Sequence, residues 1–453
     1  ALRHTIWKRK MRLAYFSPLS PQRSGISDYS EELLPHLAAE AEIDLFTDGF
    51  APTNAAIRER FPCFDYRAEP EQLQRLGDYD AVVYHMGNDH RYNAGIYEAA
   101  RAHPGVVVLH DFALQTFFLG LARERGDSGL YLDELEACHG TRARAEAEET
   151  LRRGALPSFA SQPLAFPLNC LLARDAEGII VHSEWSRARI ARIAPATPVA
   201  RINHHVVSAE LQAESRGRGG DARAVEIASF GHVTAEKGLE RVLAALVALG
   251  REHEFRFTLV GAPDHFDVRE LIRAHGLTER VEVTGYVALE EFKARLAACD
   301  IAINLRERNV GETSGSVCRA LAAGVPVVVS NVGWFAELPD DCVIKIDAGE
   351  AGDAQLRAYL ARLLMDEPLR RRIGENARRY ALAEHAIEKS AAGYLEFIRR
   401  IVAGRARRRF VGGVAVELKA CGLREDDENF LRGVATEIAR LAPARVFDER
   451  FKE

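Results

Sequence analysis

The sequence predicts an α/β protein made of two doubly wound parallel sheets, each covered by helices on both faces. Three observations carry this reading. Short β-branched runs alternate with helical-period stretches along nearly the whole chain, they fall into two sets of about six, and a polar stretch separates the sets. Strands buried on both faces read as continuous apolar runs, and these do.

In the first set the runs are Arg12–Phe16, Ile43–Phe46, Ala81–Tyr84, Val106–Leu109, Gly178–Val181 and Val199–Ile202. Between the first two, Tyr29–Ala39 places Leu33, Leu34 and Leu37 on one helical face. Tyr131–Arg153 is long and highly charged, and reads as an exposed excursion. Residues 208–223 are polar, contain three glycines and read as an interdomain linker. The second set is Val225–Phe230, Phe257–Val260, Val281–Thr284, Ile301–Leu305, Val325–Val329 and Val343–Ile346. The chain then turns helical over Gln355–Met365, Leu369–Leu382 and Glu388–Val402, followed by a basic knot at Arg405–Arg409 and amphipathic segments at Val411–Ala420 and Asp427–Leu441. The expected division is an upstream segment 1–10, domains 11–207 and 224–383 joined by the linker, and a helical tail 384–453.

Composition narrows the function classes. The chain has 453 residues, 47% hydrophobic and 28% charged, as in soluble globular proteins. Lys+Arg 60 against Asp+Glu 66 leaves a net charge of −6, which gives no support to a nucleic-acid partner. No apolar run approaches the length of a transmembrane helix, and the basic start runs into Met11–Phe16, too short for the apolar core of a signal peptide. The seven cysteines are odd in number, scattered and without a CxxC pair, which argues against structural zinc and a disulfide framework. A cytoplasmic protein is expected. The arginine-rich stretches Arg370–Arg372 and Arg405–Arg409 read first as solvated helix faces, with peripheral contact at the inner face of a membrane as the alternative.

Four turns carry the candidate chemistry. Gly25 lies in the turn from first strand to first helix, where free N–H groups face an anion; as plain structure, this is a helix start capped by Ser27 or Asp28. His110-Asp111 closes a strand at the end where ligands of open α/β sheets gather, with Asp111 placed to cap the next helix. Gly231-His232 ends another strand, and Lys237 begins the following helix, a position suited to a phosphate. Glu312-Thr313-Ser314-Gly315 is the densest feature: small residues at a helix start let amides surround a diphosphate, while Glu312 can accept from sugar hydroxyls. No G-x-G-x-x-G or P-loop occurs, and no Asp-x-Asp loop precedes the site, so no metal is expected.

Together with Val260-Gly261, Gly285-Tyr286-Val287 and Ala320-x-Ala-x-Gly324-x-Pro326, these residues resemble the retaining GT-B glycosyltransferases of family 4, from about Met11 to Val402. The phrases GETSGSVCRALAAGVPVVVSNVGWFAELPD and YFSPLSPQRSGISDYS resemble bacterial members that assemble surface polysaccharide or glycoconjugates. The resemblance implies two Rossmann-like domains facing a cleft, with the final helix crossing back to the first. It also implies transfer of a hexosyl unit from a nucleoside-diphosphate sugar, a co-substrate rather than a cofactor, to a glycan, lipid-linked or small-molecule hydroxyl. Catalytic roles fall on His110, Lys237 and Glu312. Gly25, Gly231, His232, Gly261, Tyr286, Val287, Thr313, Ser314, Gly315 and Arg319 join the donor site. Arg319 stands where the family usually has a second glutamate; with Glu312 about two helical turns away, both are expected to face the cleft. A non-catalytic sugar-nucleotide-binding protein and a GT-B epimerase or phosphorylase are the alternatives.

Overall fold

The computed structural model describes residues 10–207, 224–263, 267–307, 309–422 and 427–441. The expected linker 208–223, residues 1–9 of the upstream segment and 442–453 of the tail lie outside the described residues.

Two parallel sheets form. The first contains β1 (Met11–Phe16), β2 (Ala41–Thr47), β3 (Cys63–Asp65), β4 (Ala81–Met86), β5 (Val106–Leu109), β6 (Gly178–Val181) and β7 (Val199–Arg201), in the spatial order β3-β2-β1-β4-β5-β6-β7. The second contains β8 (Val225–Phe230), β9 (Phe255–Val260), β10 (Val281–Gly285), β11 (Ile301–Asn304), β12 (Val327–Ser330) and β13 (Val343–Ile346), ordered β10-β9-β8-β11-β12-β13. Three-residue β3 at an edge is too short for its hydropathy to mark.

Each sheet separates two apolar layers. In β8, Ile227 joins Leu243 and Leu246 on one face, while Ala228 and Phe230 join Val317 and Leu321 on the other. Each fully buried Val, Leu or Ile contributes roughly 1.5–3 kcal/mol. The helix Ile387–Ala420 inserts Tyr394, Phe397, Ile398 and Ile401 into the layer formed by Leu13, Tyr15 and Leu33 of the first domain. Arg405 forks onto Glu177 at 2.8 and 2.7 Å, which continues that attachment. Among the described residues no helix is long and apolar enough to cross a membrane.

Two expectations are corrected. The charged stretch near residue 140 is the helix Gly129–Arg152, broken at Gly140, and it buries Tyr131, Leu132, Leu135, Ala143 and Ala147. Apart from the buried Glu134, its charges lie on the outer face, which the overall composition of the stretch conceals. That helix packs on the helix Cys170–Asp175 and brings Cys138 to Cys170, Cα–Cα 5.5 Å, in a disulfide. Cysteines 32 residues apart with no motif between them offer no local signal of this pairing.

Candidate active site

Strand order reverses between β1 and β4 in one sheet and between β8 and β11 in the other. At such switch points the loops diverge and leave a crevice beyond the carboxyl ends of the strands. The turns singled out above leave these strands or their neighbours, and contacts between the domains hold the two carboxyl edges face to face. Ala113 N–H donates to the Val310 carbonyl at 2.8 Å, and Ser186 Oγ donates to the Gly311 carbonyl at 3.3 Å. Glu337 accepts from the backbone amides of Glu184 and Trp185 at the start of another helix. Arg23 lies over the exposed ring of Tyr286, 4.7 Å from its centroid.

On the first-domain side, β1 leads into the helix Gly25–Leu37, whose N-cap is Ser24 rather than Ser27 or Asp28: Ser24 Oγ accepts from Ile26 N at 3.2 Å. Gly25 is exposed with open space beside its α-carbon. Asp111 does not cap the next helix. Its Oδ2 accepts from Asn88 N at 2.8 Å, and Asn88 Oδ1 accepts from Phe117 N at 2.9 Å near that helix's start. Burial and then the neighbouring Glu312 push the Asp111 carboxyl up to about 7, against the Asn88 amide and Arg306.

His110 belongs to a group that single-motif reading misses. His85 lies near the end of β4, His110 follows β5, His182 follows β6, and His204 and His205 follow β7. All five rings lie around Tyr29, with centroids 5.8, 4.8, 5.3, 4.8 and 4.2 Å from it in that order. Burial holds each of them below the usual histidine range. His110 Nε2 and His85 Nδ1 share a hydrogen bond of 3.0 Å, and His182 Nδ1–H donates to the Ile202 carbonyl at 2.8 Å. The recoverable signal was positional, one histidine at the end of each of four strands neighbouring in the sheet. Among the described residues, the group whose ligand atoms gather within 4.8 Å lies elsewhere, at Glu134, Cys138 and Cys170, where the two sulfurs are already bonded to each other.

On the second-domain side, β8 ends at Gly231 and β9 runs on to Gly261. A Cβ on Gly261 would stand 2.2 Å from the Gly231 carbonyl oxygen, so only glycine lets these turns meet. Gly261→Ala is expected to cost about 3 kcal/mol, because the obstacle is backbone and cannot rotate away. An unchanged urea midpoint would contradict this packing. His232 is exposed, and Val287 is half-buried beside Tyr286. Lys237 ends a 3-10 turn ahead of the helix Leu239–Leu249 rather than beginning it, and is buried. Its Nζ donates to the Phe230 carbonyl at 2.6 Å; burial, and then Arg306, lower its pKa well below the usual lysine range.

Thr313 and Ser314 precede the helix Gly315–Ala322, and Ser314 Oγ caps it by accepting from Val317 N at 3.3 Å. Glu312 therefore sits in the loop rather than two helical turns before Arg319. Its carboxylate is already engaged, Oε1 by Arg306 Nε at 2.7 Å and Oε2 by Val310 N at 2.9 Å. Arg319 reaches the first domain, where Nη2 donates to Glu32 Oε1 at 2.5 Å. Glu32 escaped sequence reading because its partner Arg319 lies 287 positions away, and Arg306 because only the folded loop turns it back onto Glu312.

The fold is GT-B: two Rossmann-like domains with their carboxyl edges face to face. A sucrose-phosphate synthase from Thermosynechococcus elongatus superposes with a TM-score of 0.62 at 17% identity, over 87% of this chain and 100% of that one. Anabaena HepE, solved with UDP-glucose, gives 0.59 at 17% identity, over 86% and 99%. Residues 214–380 match the family described as Glycosyl transferases group 1. It is 29% identical to an alpha-D-kanosaminyltransferase of Streptomyces kanamyceticus over 40% of this chain and 47% of that protein. With a 2-deoxystreptamine glucosyltransferase of the same organism it shares 28% over 31% and 36%. The matched stretches thus span less than half the length of these relatives.

Proposed function

We propose that this protein transfers a hexosyl unit, with retention, from a nucleoside-diphosphate sugar to a hydroxyl acceptor in glycan or glycoconjugate assembly. The observation that carries the reading is the start of the helix Gly315–Ala322: Thr313, Ser314 and Gly315 place amides without a partner among the described residues at the switch point of the second sheet, facing the first domain. The family match, two relatives named as transferases of sugar units and a fold neighbour solved with UDP-glucose support it.

In this reading the bond from the sugar's anomeric carbon to the diphosphate breaks as the acceptor oxygen bonds to that carbon on the same face. The acceptor's proton passes to the departing phosphate. Amides at residues 313–315, with Lys237 and His232, stabilise the charge that grows on the leaving group, and preorganised donors of this kind are the usual source of most rate enhancement. The peptide groups of Gly231, Gly261, Tyr286 and Val287 line the nucleotide's path, while Gly25 and His110 approach from the other domain. No cofactor or metal enters the scheme, so turnover is expected to persist in excess EDTA; loss restored by Mn²⁺ or Mg²⁺ would refute it.

Removing Lys237 is expected to matter more. A charged hydrogen bond contributes roughly 1.5–3 kcal/mol, so Lys237→Ala should lower kcat/KM by about one to two orders of magnitude. Because leaving-group charge grows in the transition state, kcat should fall as well. Steady-state kinetics unchanged by the substitution would remove Lys237 from the machinery. The reading as a whole is tested by thermal shift with UDP-, GDP-, dTDP- and ADP-sugars, since a ligand at 100 times Kd adds about 2.7 kcal/mol of stability. No shift with any of them would overturn it. The engaged carboxylate of Glu312 favours a second reading, a sugar-nucleotide-binding protein without turnover. Release of free sugar from a bound donor separates the two.

A further inference from the structure

Among the five histidines around Tyr29, His204 combines a committed nitrogen with an open one that lies beside the second domain. Its Nδ1 lies 2.9 Å from the His205 carbonyl oxygen, which can only accept, so Nδ1 carries the ring proton and Nε2 presents a lone pair. Nε2 has no hydrogen-bond partner among the described residues, although the side chain is only 7% exposed. It lies 3.0 Å from the point a Cβ on Gly315 would occupy, at the start of the helix Gly315–Ala322. His205, by contrast, has both ring nitrogens sealed from solvent.

We infer that His204 is a ligand of the donor diphosphate, meeting from the first domain the anion that the amides at the start of helix Gly315–Ala322 hold from the second. This rests on the donor-binding reading above and adds to it a residue from the opposite domain. A phosphate oxygen can only accept, so the contact requires a proton on Nε2, taken from solvent as the anion arrives. Tyr29, His182 and His205 pack around the ring at centroid distances of 4.8, 5.8 and 5.6 Å, and Arg319, paired with Glu32, adds a cation nearby. Burial and these neighbours hold the ring neutral before binding. The arriving negative charge reverses that balance, and binding becomes linked to proton uptake.

Isothermal titration of the full chain with UDP, GDP, ADP and dTDP in turn, at pH 7.5 in buffers of different ionisation enthalpy, tests this. The ligands' own phosphates, with a second pKa of roughly 6, are then almost fully ionised. The wild type should bind at least one nucleotide with net proton uptake. His204→Gln, checked for folding by circular dichroism, should bind it about tenfold or more weakly and with less uptake. Should the glutamine variant misfold, His204→Asn replaces it. Wild-type binding without uptake, or equal affinity and uptake in the folded variant, would overturn the assignment of His204 and leave the donor site standing. Binding of none of the four nucleotides by the wild type would overturn both.

Discussion

As pH falls from 7.5 to 5.5 the protein is expected to lose stability. His85, His110, His182, His204 and His205 lie together, and burial lowers the pKa of each in the folded state, that of His182 to about 4. In the unfolded chain each titrates near 6.5. The folded pKa lies below the unfolded one, so the unfolded state binds more protons as pH falls, and stability present above about pH 6.5 is lost below it. Each such histidine contributes up to about 1.4 kcal/mol per pH unit. Two buried carboxyls oppose them: Asp111, raised to about 7, and Glu134, also raised, bind protons in the folded state that the unfolded chain leaves off. The histidines outnumber these carboxyls, so the net effect of acidification is a loss of stability. Urea midpoints at pH 7.5, 6.5 and 5.5 measure it directly, and a midpoint constant across that range would show that the cluster opens to solvent or is charged at neutral pH.

Arg319→Ala is expected to destabilise the protein by about 3–5 kcal/mol, the cost of leaving one partner of a buried ion pair unpaired. The side chains of Arg319 and Glu32 are 14% and 13% exposed. Burial pushes the Glu32 carboxyl up, but hydrogen bonding from His205 and the charge of Arg319 more than reverse this and bring it to about 2. Since burial holds His205 below the usual histidine range, Arg319 supplies the opposing charge near neutral pH. Glu32→Gln in the Arg319→Ala background should recover most of the loss, because no charge then remains stranded. From its place in the sequence Arg319 is expected to bind donor; the contact with Glu32 gives its guanidinium an occupant, and donor affinity of the folded single variant is expected to stay within about threefold. A folded Arg319→Ala protein with wild-type stability and tenfold weaker donor binding would return Arg319 to the donor site.

The positions of the turns were legible because they depend on local signals. An apolar run followed by a polar or glycine-containing turn and then a helical period marks a strand end in an α/β fold, and Gly25, His110, Gly231 and Ser314 all lie in such turns. Helix starts could be assigned only to within a few residues: Ser24, Ser27 and Asp28 can each cap a helix, and backbone geometry chose Ser24. Chemical state was not legible. Glu312 reads as a free acceptor until Arg306 and Val310 are seen to hold both its oxygens.

Hydrophobic periodicity, a property of neighbours along the chain, was thus sufficient to define two parallel sheets, their order in the sequence and the carboxyl edges from which the candidate turns leave. Tertiary structure alone decided what depends on residues far apart meeting in a low-dielectric interior. Glu32 meets Arg319 from 287 positions away, Cys138 meets Cys170 across two helices, and five histidines from four strand ends surround one tyrosine. Burial makes the charge of each such group conditional on its partner, and the partner is chosen by the packing of the sheets rather than by spacing along the chain.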